Sequence, residues 1–149
     1  MNKLHRTNSE NKDFQNLVFE LDKYLAKINS DDNDFFVQFN KIDLLNHAVV
    51  AYSNNLPIGC GAIKKLNSNS MEIKRMFVPE SMRGKGIASA ILNELENWTK
   101  ELGFEKCVLE TSNKMHDAIG LYTKCGYKII PNYGQYEQIK TSVCFEKIV

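Results

Sequence analysis

The sequence predicts an α/β layered fold, with one mixed sheet of six to seven strands flanked by about four helices. Three observations carry this. Strand-like runs fill residues 47–78. Long stretches of helical periodicity lie before and after them. A further helix then interrupts the closing strands, and helices set between strands make a layered sheet. The 149 residues fit one domain, 1–149, with chain enough for a single sizeable core.

The elements follow in order. Lys3 to Arg6 form a short opening strand. Phe14, Leu17, Val18, Leu21, Tyr24, Leu25 and Ile28 recur at helical spacing, which predicts an amphipathic helix. "NSDDNDFF" (29–36) is turn chemistry, and its Asn, Ser and Asp residues could also cap a short second helix. "HAVVAYS", "PIGCGAIKKL" and "MEIKRMFV" are three strands separated by "NNLP" and "NSNS", an antiparallel meander. Pro79 ends the third, because proline cannot donate to a ladder. Ile87, Ala88, Ile91, Leu92, Leu95, Trp98 and Leu102 share one helical stripe, and Gly103 stops it. "EKCVLET" is a strand. "NKMHDAIGLYTKCG" is a helix with Ser112 or Asn113 as cap and Gly126 as its terminal glycine. "YKII" and "SVCFEKIV" close the sheet, joined by the loop 131–141.

Composition narrows the function classes. The formal net charge is +1, which argues against a nucleic-acid or anionic-membrane partner, since those need a basic excess. No apolar run is long enough to cross a bilayer. The polar start "MNKLHRTNSENKDF" lacks a signal-peptide core, so the expected location is cytoplasmic. Cys60, Cys107, Cys125 and Cys144 have no metal-ligand spacing and sit in apolar segments, as buried reduced thiols do. His5, His47 and His116 are equally dispersed, and no metal is expected.

The stretch "VPESMRGKGIASAIL" (78–92) carries the strongest signal. It follows a strand and opens a helix. Gly84 and Gly86 let the backbone turn tightly and leave a ligand room to approach. The free N–H groups of the first helical turn then point outward at the positive end of the helix dipole. Such a loop is an anion site suited to phosphate or pyrophosphate. Arg83 and Lys85 add charge at its rim. A Rossmann fingerprint is excluded because its third glycine is replaced by Ser89, and a Walker loop is absent. On spacing alone, a plain tight turn with solvated charges is an equal reading.

The motif "R83-G84-K85-G86-I87-A88" resembles the acyl-CoA pyrophosphate loop of the GNAT superfamily of N-acetyltransferases, [RQ]-x-x-G-x-[GA]. Arg83, Gly86 and Ala88 occupy its fixed positions. "MEIKRMFVPE" is similar to the family's central strand, and "LETSNKMHDAIGLYTKCGYKII" to its later strand and helix with the "LY-x-K-x-GY" ending. The resemblance is strong over roughly residues 47 to 130. The tail "PNYGQY…SVCFEK" resembles a bacterial subgroup of small GNAT proteins. It implies a GNAT-like fold, acetyl-CoA as cosubstrate, transfer of acetyl to a primary amine of a small molecule or protein by direct attack on the thioester, and a homodimer as a common assembly. The other function class is a non-catalytic acetyl-CoA sensor or regulatory domain, which would keep the loop and dispense with acid and base.

The implied reaction has definite chemical needs. An alkyl ammonium with a pKa of about 10 must lose a proton before it attacks, so a base is required. The tetrahedral intermediate needs an oxyanion donor. A departing thiolate with a pKa of about 8.5 benefits from a proton donor. Glu72 is the candidate base: alternation puts it on one face with Lys74, Met76 and Val78, and the resemblance places a water-linked glutamate on this strand. An exposed carboxylate paired with Lys74 is the other reading. Tyr122 is the candidate acid. It shares a helical face with Ala118 and Ile119, and the resemblance puts it beside the CoA sulfur. A core aromatic is the alternative.

The resemblance further implies that the backbone of Met76, Phe77 and Val78 splays at a bulge and binds pantetheine, with one N–H facing the thioester oxygen. It brings Arg83, Gly84, Lys85, Gly86, Ile87, Ala88 and Ser89 to the phosphates. Asn113 would bond the pantetheine arm, cap its helix, or both. Lys124 and His116 read better as surface residues. Asp31, Asp32 and Asp34 could attract a cationic amine but fit a solvated turn better, while Tyr133 and Tyr136, in an exposed aromatic loop, could wall the acceptor pocket. The sequence does not identify the amine.

Overall fold

A computed structural model describes residues 2–28 and 44–149. The expected short second helix and Asp31, Asp32 and Asp34 lie outside the described residues. The elements are β1 (Asn2–Thr7), α1 (Lys12–Ile28), β2 (His47–Ser53), β3 (Leu56–Lys65), β4 (Ser70–Phe77), α2 (Ile87–Glu101), β5 (Lys106–Ser112), α3 (His116–Lys124), β6 (Lys128–Ile130) and β7 (Ser142–Ile148). They form one seven-stranded sheet in the order β1-β2-β3-β4-β5-β7-β6. The meander β1 to β4 is antiparallel, β4 and β5 are parallel, and β7 inserts antiparallel between β5 and β6.

Alternation assigns the two faces. In β2, Ala48 and Val50 meet Phe14, Leu17, Val18 and Leu21 of α1. Val49 and Ala51 point the other way, toward Ile91, Leu92 and Leu95 of α2. A strand buried on both faces reads as a continuous apolar run, which is why "HAVVA" shows no polar alternation. Asn11 caps α1, its Oδ1 accepting the Phe14 N–H at 2.9 Å. Gly61 of β3 lets α2 lie close to the sheet: a Cβ there would sit 2.5 Å from Met76 Sδ and 2.9 Å from Leu95 Cδ1.

β4 is the element that builds the site. Its pairing with β5 covers only Ser70↔Lys106, Met71↔Cys107 and Glu72↔Val108. Beyond Glu72 the strands part. On the other edge, Cys60 pairs with Phe77 but Ala62 with Lys74, so β4 carries one extra residue. Arg75 sits in this bulge with φ of +59°. A bulge bends its strand and increases local twist, and so directs the end of β4 away from β5. Among the described residues, two contacts hold the conformation. Arg75 Nη1 donates to Asp22 Oδ1 of α1 at 2.8 Å, and Cys60 Sγ donates to the Arg75 carbonyl at 3.4 Å.

One boundary differs from the sequence expectation. α3 begins at His116, with Met115 as its N-cap, rather than at Asn113. The intervening residues close a local turn: Ser112 Oγ accepts the Lys114 N–H at 3.2 Å and the Ser112 carbonyl accepts the Met115 N–H at 2.9 Å. The Asn113 N–H is meanwhile drawn to the Thr141 carbonyl at 2.7 Å. Serine competes for nearby backbone in this way, and here it delays the helix.

Candidate active site

Two cavities meet on α3. The larger, of about 500 Å³, runs from the end of β4 past the glycine loop along α3. Met76, Phe77, Val78, Arg83, Gly84, Gly86, Ile87, Ala88 and Ser89 all line it, as do Gly120 and Lys124 of α3. Gly86 is the N-cap of α2, and both Gly84 and Gly86 have φ of +79°. A Cβ on either would meet no atom within 4 Å, so both open onto free space. Helical bonding starts with the Ala90 N–H to the Gly86 carbonyl at 3.1 Å, which leaves the N–H groups of Ile87, Ala88 and Ser89 for a ligand. The first turn of α2 carries no acidic residue. This cradle fits a phosphate group.

Several placements refine the expectation. Arg83 Nε donates to the Val78 carbonyl at 2.8 Å, and its guanidinium lies 4.8 Å over the Tyr24 ring. Arg83 therefore braces the loop against β4 and α1 as well as charging the rim, and the Val78 carbonyl is already taken as an acceptor. Lys85 is exposed and does not line the cleft. Asn113 is exposed and lines neither cavity. The pairing of β4 with β5 stops at Glu72, and among the described residues Met76 and Phe77 pair with no strand on that edge while lining the larger cleft.

The smaller cavity, about 100 Å³, is the wedge between β4 and β5. Glu72, Lys74 and Arg75 line one side, Glu110 and Ser112 the other, with Leu21 and Leu25 of α1 and Tyr136 above. Glu72 is buried, unlike the exposed carboxylate of the alternative reading. Tyr133 donates its hydroxyl to Glu72 Oε2 at 2.7 Å, and Lys74 Nζ lies 3.9 Å from Oε1. The closing loop thus reaches the wedge through both tyrosines. Tyr136 is not exposed, as the sequence suggested, but 1% accessible. Burial pushes the Tyr133 phenol up, and the Glu72 carboxylate adds to it. Burial lowers Lys74, opposed by Glu72.

Tyr122 lines both cavities. Burial raises its phenol well above the ordinary 10, so it stays protonated. Its ring packs on Tyr127 and Phe145, with centroids 5.8 and 5.9 Å away. Among the described residues its hydroxyl has no hydrogen-bond partner.

The sequence reading missed Glu110. A carboxylate amid the apolar run "CVLET" was the available signal. Register now places it: Glu72 pairs with Val108, so Glu72, Lys74, Val108 and Glu110 share a face. Burial pushes the Glu110 carboxyl from 4.5 up to about 7, although Ser142 donates to Oε2 at 2.7 Å and favours the charge. The native state then holds more protons than the unfolded chain between those values, so stability falls as pH rises across that window. Glu110→Gln is expected to raise Tm at pH 8 by several degrees, from at most about 3 kcal/mol, with no gain at pH 4. Thermal melts at the two pH values check this.

His116 is exposed, and Lys124, also exposed, lines the larger cleft. The four cysteines are free thiols, three of them buried. Among the described residues, no cluster of three or more His, Cys, Asp and Glu is placed to hold a metal, and no helix is long and apolar enough to cross a membrane.

Known proteins share this architecture. The model of the acetyltransferase (GNAT) family matches residues 10–127. An IAA acetyltransferase of Azospirillum brasilense is 30% identical over 135 residues, covering 88% of this chain and 87% of that one. The uncharacterised N-acetyltransferase YjgM of Escherichia coli is 33% identical, over 55% of this chain and 50% of its own length. In structure, a GNAT acetyltransferase of Elizabethkingia anophelis solved with acetyl-CoA superposes with a TM-score of 0.73 at 17% identity, covering 99% of this chain and 98% of that one. The PaiA N-acetyltransferase of Thermoplasma acidophilum, solved with coenzyme A, gives 0.73 at 18% identity over 100% and 99%. The chain belongs to the GNAT family of acetyltransferases.

Proposed function

We propose that the protein transfers an acetyl group from acetyl-CoA to a primary amine by direct attack of the amine on the thioester. The observation that carries this is Tyr122, a protonated phenol lining both a phosphate-type cleft and a carboxylate-bearing wedge. The N–H groups of Ile87, Ala88 and Ser89, with Arg83 at the rim, hold the pyrophosphate. The free edge of β4 between Met76 and Val78 lies along the pantetheine, and one of its N–H groups faces the thioester oxygen, where negative charge develops. Two proteins of the same fold solved with coenzyme A and with acetyl-CoA support this cosubstrate.

The acceptor enters the wedge. Glu72 draws in its ammonium, and the wedge carboxylates take the proton. The neutral nitrogen then forms the C–N bond as the C–S bond breaks. Tyr122 gives its proton to the leaving sulfur, and its phenoxide receives the second proton from the new amide nitrogen. The acid is restored and one proton in all is released.

The test is a thiol-release assay with acetyl-CoA and a panel of primary amines, with CoA affinity measured in parallel. Thiol release that depends on an amine, with CoA binding in the low-micromolar to sub-millimolar range, is the expected result. CoA binding without transfer to any amine would return the sensor reading instead.

A further inference from the structure

We propose that Glu110, held by Ser142 on the β5 side of the wedge, is the group on which the acceptor's proton comes to rest, while Glu72 anchors the ammonium. This rests on the acetyl-transfer reading and assigns a residue within it. The geometry divides the two carboxylates. Glu72 is engaged at both oxygens, by the Tyr133 hydroxyl at 2.7 Å and by Lys74 Nζ at 3.9 Å. Glu110 has one described hydrogen-bond donor, Ser142, on Oε2 at 2.7 Å. It lies past the last β4–β5 pair, where the strands have parted, so its carboxylate borders the opening rather than the closed ladder.

Among the described residues, the groups facing Glu110 come from four elements and the closing loop. Glu72 and Lys74 reach it from β4, Ser142 and Cys144 from β7, Tyr122 from α3 and Tyr136 from the closing loop. From α1 the wedge receives the apolar Leu21 and Leu25. Burial outweighs the Ser142 bond and the Lys74 charge, and the Glu72 carboxylate adds to it, bringing Glu110 to about 7. A base is most effective when its pKa lies near the working pH, and paired carboxylates in unequal surroundings divide their roles in this way. In the step itself, Glu110 receives one N–H proton from the ammonium, the nitrogen keeps the electron pair for attack, and Glu110 returns the proton to solvent between turnovers.

Protein carrying carbon-13 at the glutamate side-chain carboxyls is titrated by NMR, and kcat/KM is measured from pH 5.5 to 9 with ethylamine and benzylamine as acceptor probes. One carboxyl is expected to titrate near 7 and to vanish in Glu110→Gln. That variant keeps wild-type CoA affinity, loses about 100-fold in kcat/KM at pH 8, and loses the acid limb near 7. Ser142→Ala removes a bond that favours the charged form, so it moves both the NMR titration and the limb to higher pH, which a merely structural serine would not do. An unchanged limb in Glu110→Gln, or a limb that disappears in Glu72→Gln instead, overturns the proposal while leaving acetyl transfer standing. Should both probes prove idle, the NMR titration decides, and a Glu110 pKa below 5.5 overturns it.

Discussion

Gly86→Glu is expected to abolish measurable acetyl-CoA binding. Gly86 is the N-cap of α2 and holds φ at +79°. A residue with a Cβ pays about 1–2 kcal/mol in that conformation. The added Cβ would meet open space, since nothing lies within 4 Å of it. The new side chain would project into the space the phosphates need, and its negative charge would take their place at the positive end of the helix. Strain and repulsion together weaken binding by about 3 kcal/mol or more, at least about 100-fold. Calorimetric titration with CoA checks this, with circular dichroism confirming the fold. Gly86→Ala separates the causes: it carries the strain without the charge and should lose only about tenfold. Normal affinity in Gly86→Glu would remove the loop from phosphate recognition.

Tyr122→Phe should lower kcat by about 100-fold while CoA affinity and Tm stay close to wild type. Loss of a proton donor in the transition state typically costs 10² to 10⁴. The prediction is a clean one because the hydroxyl has no described hydrogen-bond partner, so its removal orphans no other group. The ring contacts with Tyr127 and Phe145 survive in phenylalanine. Single-turnover thiol release, compared with CoA affinity, reads the two effects apart. An unchanged kcat would leave Tyr122 as a core aromatic and move the acid elsewhere.

The order of strands and helices was legible because each rests on local chemistry. Helical periodicity located α1 and α2 to within two residues, and the turn residues divided the meander correctly. The glycine loop was equally legible, since a positive-φ glycine opening an apolar-periodic helix is a local pattern. The start of α3 falls later than the sequence predicts because helix and turn compete locally, and Ser112 bonds back to the chain before the helix can begin. The sequence places Tyr136 in an exposed aromatic loop, but the closing loop folds onto the wedge and buries it.

By itself the sequence determined the element order, the phosphate-type loop and the family resemblance, all of which depend on neighbours within a few positions along the chain. Only the tertiary structure decided where β4 leaves β5. That depends on a register between residues more than thirty apart and on a bulge at Arg75 tied to Asp22 of a distant helix. The same parting of strands opens the wedge that Glu72 and Glu110 line and sets Tyr122 where the two cavities meet. The buried setting that moves the Glu110 carboxyl exists only once β7, the closing loop and α1 have packed around it. Burial and register are properties of the assembled sheet, so the sequence offers Tyr122 and Glu72 one at a time, and only the folded chain sets Glu110 beside them.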